Sequence, residues 1–103
     1  MKTLNEKLLS EYKIGMIVTI NRRPSSWSHI GAEKKSELIA AITLPIEIFP
    51  ITVKIKELED YDSFNPHVPM EAVNLKTKQL IGFNLTDLVK SDNIKKVQNI
   101  NSF

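Results

Sequence analysis

The run Tyr12-Lys13-Ile14-Gly15-Met16-Ile17-Val18-Thr19-Ile20 decides the fold. Ile14, Met16, Val18 and Ile20 fall on every second residue, the mark of a strand with one face in a core. Gly15 suits the turn that leads into that strand. Pro24 ends it, because proline has no N–H to give to a ladder. Ile51-Thr52-Val53-Lys54-Ile55-Lys56 alternates the same way, with Ile51, Val53 and Ile55 inward and Lys54 and Lys56 in water. Leu58 breaks the phase and predicts a bulge over 56–58. Two further strands are expected over 68–75 and 79–85. They are joined by a turn at Lys76-Thr77-Lys78, which lacks the glycine of a tight two-residue hairpin. A last short strand fits 94–97. The face shared by these strands should bury Ile14, Met16, Val18, Ile20, Val53, Ile55, Val73, Ile81, Phe83 and Leu88.

Helical signals are fewer. Thr3 and Glu6 form a capping box ahead of Leu4, Leu8 and Leu9, which predicts a short helix over 4–11. The segment 32–42, AEKKSELIAAI, reads as a helix with Leu38, Ile39 and Ile42 on one side, or as a loop carrying a short strand. Pro45 and Pro50 forbid a continuous helix or central strand through 44–50. Thr86-Asp87-Leu88-Val89-Lys90 reads as one helical turn capped by Thr86.

Length and composition set the class. The chain has 103 residues, enough for one domain over 1–103, with an N-terminal helix in 1–11 and the body in 12–100. Hydrophobic residues make up 42% and charged residues 25%, a balance that excludes a disordered chain. There is no cysteine, so disulfides and thiolate metal sites are excluded. The net charge of +2 permits a nucleic-acid partner without demanding one. The N-terminal residues carry charges throughout, so a signal peptide is not expected there. The apolar stretch over 38–55, LIAAITLPIEIFPITVKI, is broken by Pro45, Glu47, Pro50 and Lys54, so core burial is expected and a membrane span is not. The expected location is the cytoplasm of a bacterium or of a phage-infected host cell.

The order strand, long loop, strand, loop, strand, hairpin, strand, helical turn, short strand resembles the SH3-like small β-barrel. The residues that carry the likeness are those of 12–18 and Gly82-Phe83-Asn84-Leu85-Thr86-Asp87-Leu88-Val89. The resemblance covers 12–100 and implies a mainly β barrel of about five strands with a short N-terminal helix. The chain also looks like small barrel proteins of tailed phages whose first strand runs into an RPSSWS-like loop. It lacks the acidic, aromatic-rich first loop and paired tryptophans of signalling SH3 domains, so proline-rich ligands are not implied.

The loop Asn21-Arg22-Arg23-Pro24-Ser25-Ser26-Trp27-Ser28-His29-Ile30-Gly31 holds both arginines and the one tryptophan. Tryptophan and arginine dominate interface energies, because they bury large areas and make several polar or stacking contacts. Arg22, Arg23, Trp27 and His29 are therefore the expected protein-contact residues. The rival reading folds Trp27 back as a core plug with an arginine stacked on its ring.

Three other chemistries carry less. Asp60, Asp62, Asn65, His67 and Glu71 mimic calcium-loop spacing, but Phe64 and Asn65 stand where a ligand and the glycine belong. No metal or cofactor is expected. No phosphate-cradling loop or nucleophile elbow occurs, and an enzyme is not expected. Lys54, Lys56, Lys76 and Lys78 could line up as a phosphate-binding stripe, with Glu57, Glu59, Asp60 and Asp62 opposing it. The leading expectation is a non-enzymatic protein-binding module, a phage-encoded modulator or inhibitor of a host protein. The alternative is a nucleic-acid-binding barrel.

Overall fold

The computed structural model of the 103-residue chain describes residues 4–25, 38–58 and 67–97. Helix α1 (Leu4–Glu11) leads into β1 (Ile17–Ile20). The short strand β2 (Leu38–Ala40) is followed by 3-10 turns at Ala41–Thr43 and Ile46–Ile48. Next come β3 (Ile51–Leu58), β4 (Pro69–Asn74), β5 (Leu80–Asn84), helix α2 (Leu85–Lys90) and β6 (Ile94–Lys96). The strands form one 6-stranded sheet in the order β2-β5-β4-β3-β1-β6. The chain is mainly β, as expected, but the sheet is open and does not close into a barrel. Among the described residues, strands β2 and β6 are its two edges.

Strand direction fixes where the connections run. Strand β2 runs parallel to β5, and every other neighbouring pair is antiparallel. Strands β2, β5, β3 and β6 therefore point one way, and β4 and β1 the other. The connections β2 to β3 and β5 to β6 both join parallel strands and both cross the sheet in the same sense. Parallel crossovers share one hand, so both must lie on the same face. The buried residues agree: Ala41 and Leu44 from the first connection and Leu85 and Leu88 from the second share one core with Leu8 and Tyr12 of the α1 segment. The expected barrel order placed a helical turn between the last two strands, where α2 lies, but it did not foresee that this connection and the β2–β3 connection cross the sheet. The segment expected as helix or strand over 32–42 is described from Leu38 onward, where it forms β2 and the first 3-10 turn.

The inward residues follow from the register. Val18 faces Val53 and Ile20 faces Ile51, Ile55 faces Ala72, and Ala72 faces Ile81. Met70 pairs with Phe83, and all of these are buried. The expected bulge is present as a register shift between Ile55 and Glu57. Two expected core residues depart from the pattern. Ile14 is 65% exposed, because Gly15 takes φ +98 and turns the chain before β1 begins. Val73 is only half-buried and sits on the other face opposite Lys54, since Ala72 and Asn74 are the inward residues of β4. Met16, just before β1, is half-buried against the core.

Polar side chains set several boundaries. Asn84 caps α2 by accepting from the Asp87 N–H at 3.3 Å, which corrects the expected Thr86 cap. Thr86 does other work: its buried hydroxyl accepts from the Val68 N–H at 3.0 Å, while the Leu85 N–H donates to the Val68 carbonyl. These bonds tie the start of β4 to α2. In the turn after β4, Asn74 Oδ1 accepts from the Lys76 and Thr77 N–H groups, and Lys78 takes φ 67. That side-chain turn replaces the missing glycine. Beyond α1, Tyr12 is buried with the Lys96 ammonium 4.8 Å from its ring centroid. Burial pushes the Tyr12 phenol above its ordinary 10.0, and the Glu11 charge adds to the rise.

Val18→Ala and Ile55→Ala should each cost about 1–4 kcal/mol by denaturant unfolding, whereas Ile14→Ala should stay within about 0.5 kcal/mol. Thr86→Val keeps the shape but strands the Val68 N–H, and should cost about 1–3 kcal/mol. A neutral Thr86→Val variant would remove the proposed tie.

Candidate functional site

The loop that follows β1 is clamped at its root. The Asn21 N–H donates to the Asn93 carbonyl at 3.4 Å, which extends the β1–β6 ladder. At the next residue the Asn93 side chain takes over the pairing. Its Oδ1 accepts from the Arg22 N–H at 2.8 Å, and its Nδ2 donates to the Arg22 carbonyl at 2.8 Å. A primary amide has the donor and acceptor of a peptide group, so Asn93 pairs like one more strand residue. It is 2% exposed, and both sides of its amide are satisfied.

Both arginines are exposed, and each also binds the body. Arg22 Nη2 donates to the Ser91 carbonyl at 2.7 Å, at the C-terminal end of α2 where carbonyls lack helical partners. Arg23 Nη1 donates to the Leu44 carbonyl at 3.2 Å, in the crossover between β2 and β3. Pro24 is buried. Each guanidinium has five N–H donors, so a single carbonyl leaves it able to contact something else. Trp27 and His29, the other expected contact residues, lie outside the described residues.

The same crossover continues into an apolar cleft of about 500 Å³. One wall is Glu47, Ile48, Pro50, Ile51 and Thr52, and the other is Asn74, Leu75, Lys76 and Thr77 from the turn after β4. The 3-10 turn Ile46–Ile48 and the cis Phe49–Pro50 bond bring the chain onto β3, and the Leu75 N–H donates to the Thr52 carbonyl at 3.1 Å. Ile46 is 62% exposed, Ile48 38% and Leu75 36%. Glu47 and Lys76 add one carboxylate and one ammonium to the lining of the cleft. The exposed apolar residues were missed in the sequence, where 38–55 reads as core. Pro45 and Pro50, bracketing an Ile-Glu-Ile turn, were the usable signal.

The four expected phosphate-binding lysines divide. Lys54 is exposed on the face away from the helices, paired across the sheet with Ile17 and Val73, and Lys56 sits at the bulge. Lys76 and Lys78 belong to the turn beyond Asn74. Lys95, opposite Thr19 on β1, shares the face of Lys54. Of the metal-like set, His67 Nδ1 lies 3.0 Å from the Asn84 amide nitrogen and Glu71 is buried in β4. Asp60, Asp62 and Asn65 fall outside the described residues.

No protein-family model matches the sequence, and neither a curated protein nor a solved structure matches the chain. No helix among the described residues is long and apolar enough to cross a membrane.

Replacing Asn93 by aspartate keeps the acceptor for the Arg22 N–H but sets a carboxylate oxygen against the Arg22 carbonyl. Asn93→Asp should cost about 2–4 kcal/mol, more than a lost neutral bond, because one oxygen of a buried charge then faces an acceptor instead of a donor. In Asn93→Leu, which removes the acceptor of the Arg22 N–H, amide exchange at Arg22 should speed up even where the variant stays folded. Unchanged exchange at Arg22 would mean that Asn93 does not hold the loop root.

Proposed function

We propose that the protein is a non-enzymatic binding module that docks on another protein through the end of the sheet where the 21–31 loop departs. The observation that carries this reading is the pair of exposed apolar side chains Ile48 and Leu75 lining one cleft, with exposed Ile46 in the same turn as Ile48. Large apolar side chains grouped at a rim of polar residues mark contact surfaces, whereas singly scattered ones do not. The bond from Arg23 to the Leu44 carbonyl supports joining the loop root and the cleft into one surface, since it ties the loop to the segment that leads into the cleft. Such a module acts as a modulator by occupying its partner's surface, and Arg22, Arg23, Trp27 and His29 extend the contact. The nucleic-acid alternative draws less support, because Lys54 and Lys56 are on the sheet while Lys76 and Lys78 are on the turn.

The test compares binding to a purified partner, first isolated under nuclease treatment, across single variants. Ile48→Asp and Trp27→Ala should each weaken binding by about 1–3 kcal/mol and leave thermal unfolding nearly unchanged. Lys54→Ala should have little effect at moderate salt. Wild-type affinity in Ile48→Asp would defeat the cleft as the contact. Loss of binding after nuclease treatment, with a steep salt dependence that Lys54→Ala flattens, would favour the nucleic-acid alternative.

A further inference from the structure

Strand β6 is a sheet edge with open backbone groups. The Asn93 carbonyl accepts from Asn21, and the Val97 N–H donates to the Ile17 carbonyl at 3.0 Å. Lys95, in the same phase, lies opposite Thr19. Backbone groups alternate in direction along a strand, so the N–H and C=O of Ile94 and Lys96 point away from β1. Among the described residues, β6 pairs with β1 alone, and nothing bonds to those outward groups. An edge of this kind is a template for another strand.

Charge selects what can pair there. Lys95 projects on the face away from the helices and Lys96 on the core side over Tyr12. Lysines on both faces disfavour pairing with a second copy of the same strand, because like charges would meet. The same charges favour an acidic strand. Apolar surface adjoins them: Val97 is 41% exposed, and Ile94 is half-buried against the core. Grooves lie on either side of Val97, one of about 270 Å³ lined by Gly15, Met16 and Ile17. The other, of about 480 Å³, is lined by Thr19, Asn21, Lys95 and Lys96.

We propose that β6 accepts an extended acidic segment of a partner protein as an added strand. Its main chain bonds Ile94 and Lys96, a carboxylate meets Lys95, and an apolar residue on the alternate face meets Ile94. This surface is separate from the cleft beside Ile48 and stands whether or not that cleft binds a protein.

The probe is a short end-capped peptide alternating valine and glutamate, added to the full chain and followed by amide hydrogen exchange. At saturation, exchange at Ile94 and Lys96 should slow by about tenfold or more, with Lys95, already facing β1, unchanged. N-methylation of the peptide amides that face β6 should abolish binding while leaving its charge intact. Lys95→Glu should weaken binding about tenfold with no change in thermal unfolding. Equal binding of the N-methylated peptide, or of one alternating valine and lysine, would overturn the proposal. So would Ile94 and Lys96 amides already protected in the free protein, whether by its own chain or, if protection grows with protein concentration, by a second copy. An exchange pattern reproduced by single-stranded DNA would reduce the surface to a polyanion patch and overturn it too.

Discussion

Two parallel crossovers that travel the same way across one sheet cannot lie on opposite faces without one of them being left-handed. That constraint organises the molecule. It places the β2–β3 connection, with Ala41 and Leu44, and the β5–β6 connection, with Leu85 and Leu88, in a single core beside Leu8 and Tyr12. The inward alternation of β1 and β3 then has one place to go, and Val18, Val53 and Ile55 reach 0% exposure there. It also explains the end of the sheet proposed as a contact surface. The first crossover must return to the start of β3, and its last turn, Ile46–Ile48, comes back to the surface beside the turn after β4.

Asparagine repeatedly does work that glycine or a backbone group does elsewhere. The chain has only three glycines. Asn74 closes the β4–β5 turn with its side chain, Asn84 caps α2, and Asn93 pairs with Arg22 as a strand residue would. All of them are buried, where a polar group is tolerated only with its bonds made. Each therefore fixes one local geometry: a turn, a helix start or the root of a loop.

Strands were legible because alternation is local. The pattern over 51–56 marks β3 and the phase break at Leu58 marks its bulge, and both are present in the sheet. Topology was not legible, because nothing local in Leu38-Ile39-Ala40 says that it pairs in parallel with Leu80-Ile81-Gly82. Ile14 and Val73 misled for one reason: an apolar residue in phase was read as inward, while a φ of +98 at Gly15 and an inward Asn74 decided otherwise. At the candidate site, the arginines were legible as residue types, but their bonds to Ser91 and Leu44 depend on segments far away in sequence. Ile46 and Ile48 were hidden by their own hydrophobicity, since composition cannot tell a core turn from an exposed one.

The clamp between Arg22 and Asn93 spans 71 positions of sequence. Closing so long a loop costs entropy before the contact returns any gain, and long-range pairings of this sort slow folding. During synthesis, β1 can gain β3 as a neighbour soon after that strand emerges. Its other side has no partner until residues 93–96 have left the ribosome. A nascent chain that has made everything up to α2 thus carries an open flank on β1 and an unset loop root. The geometry of the 21–25 segment is completed late, and a chaperone that shields β1 in that interval would protect the strand most exposed to wrong pairing.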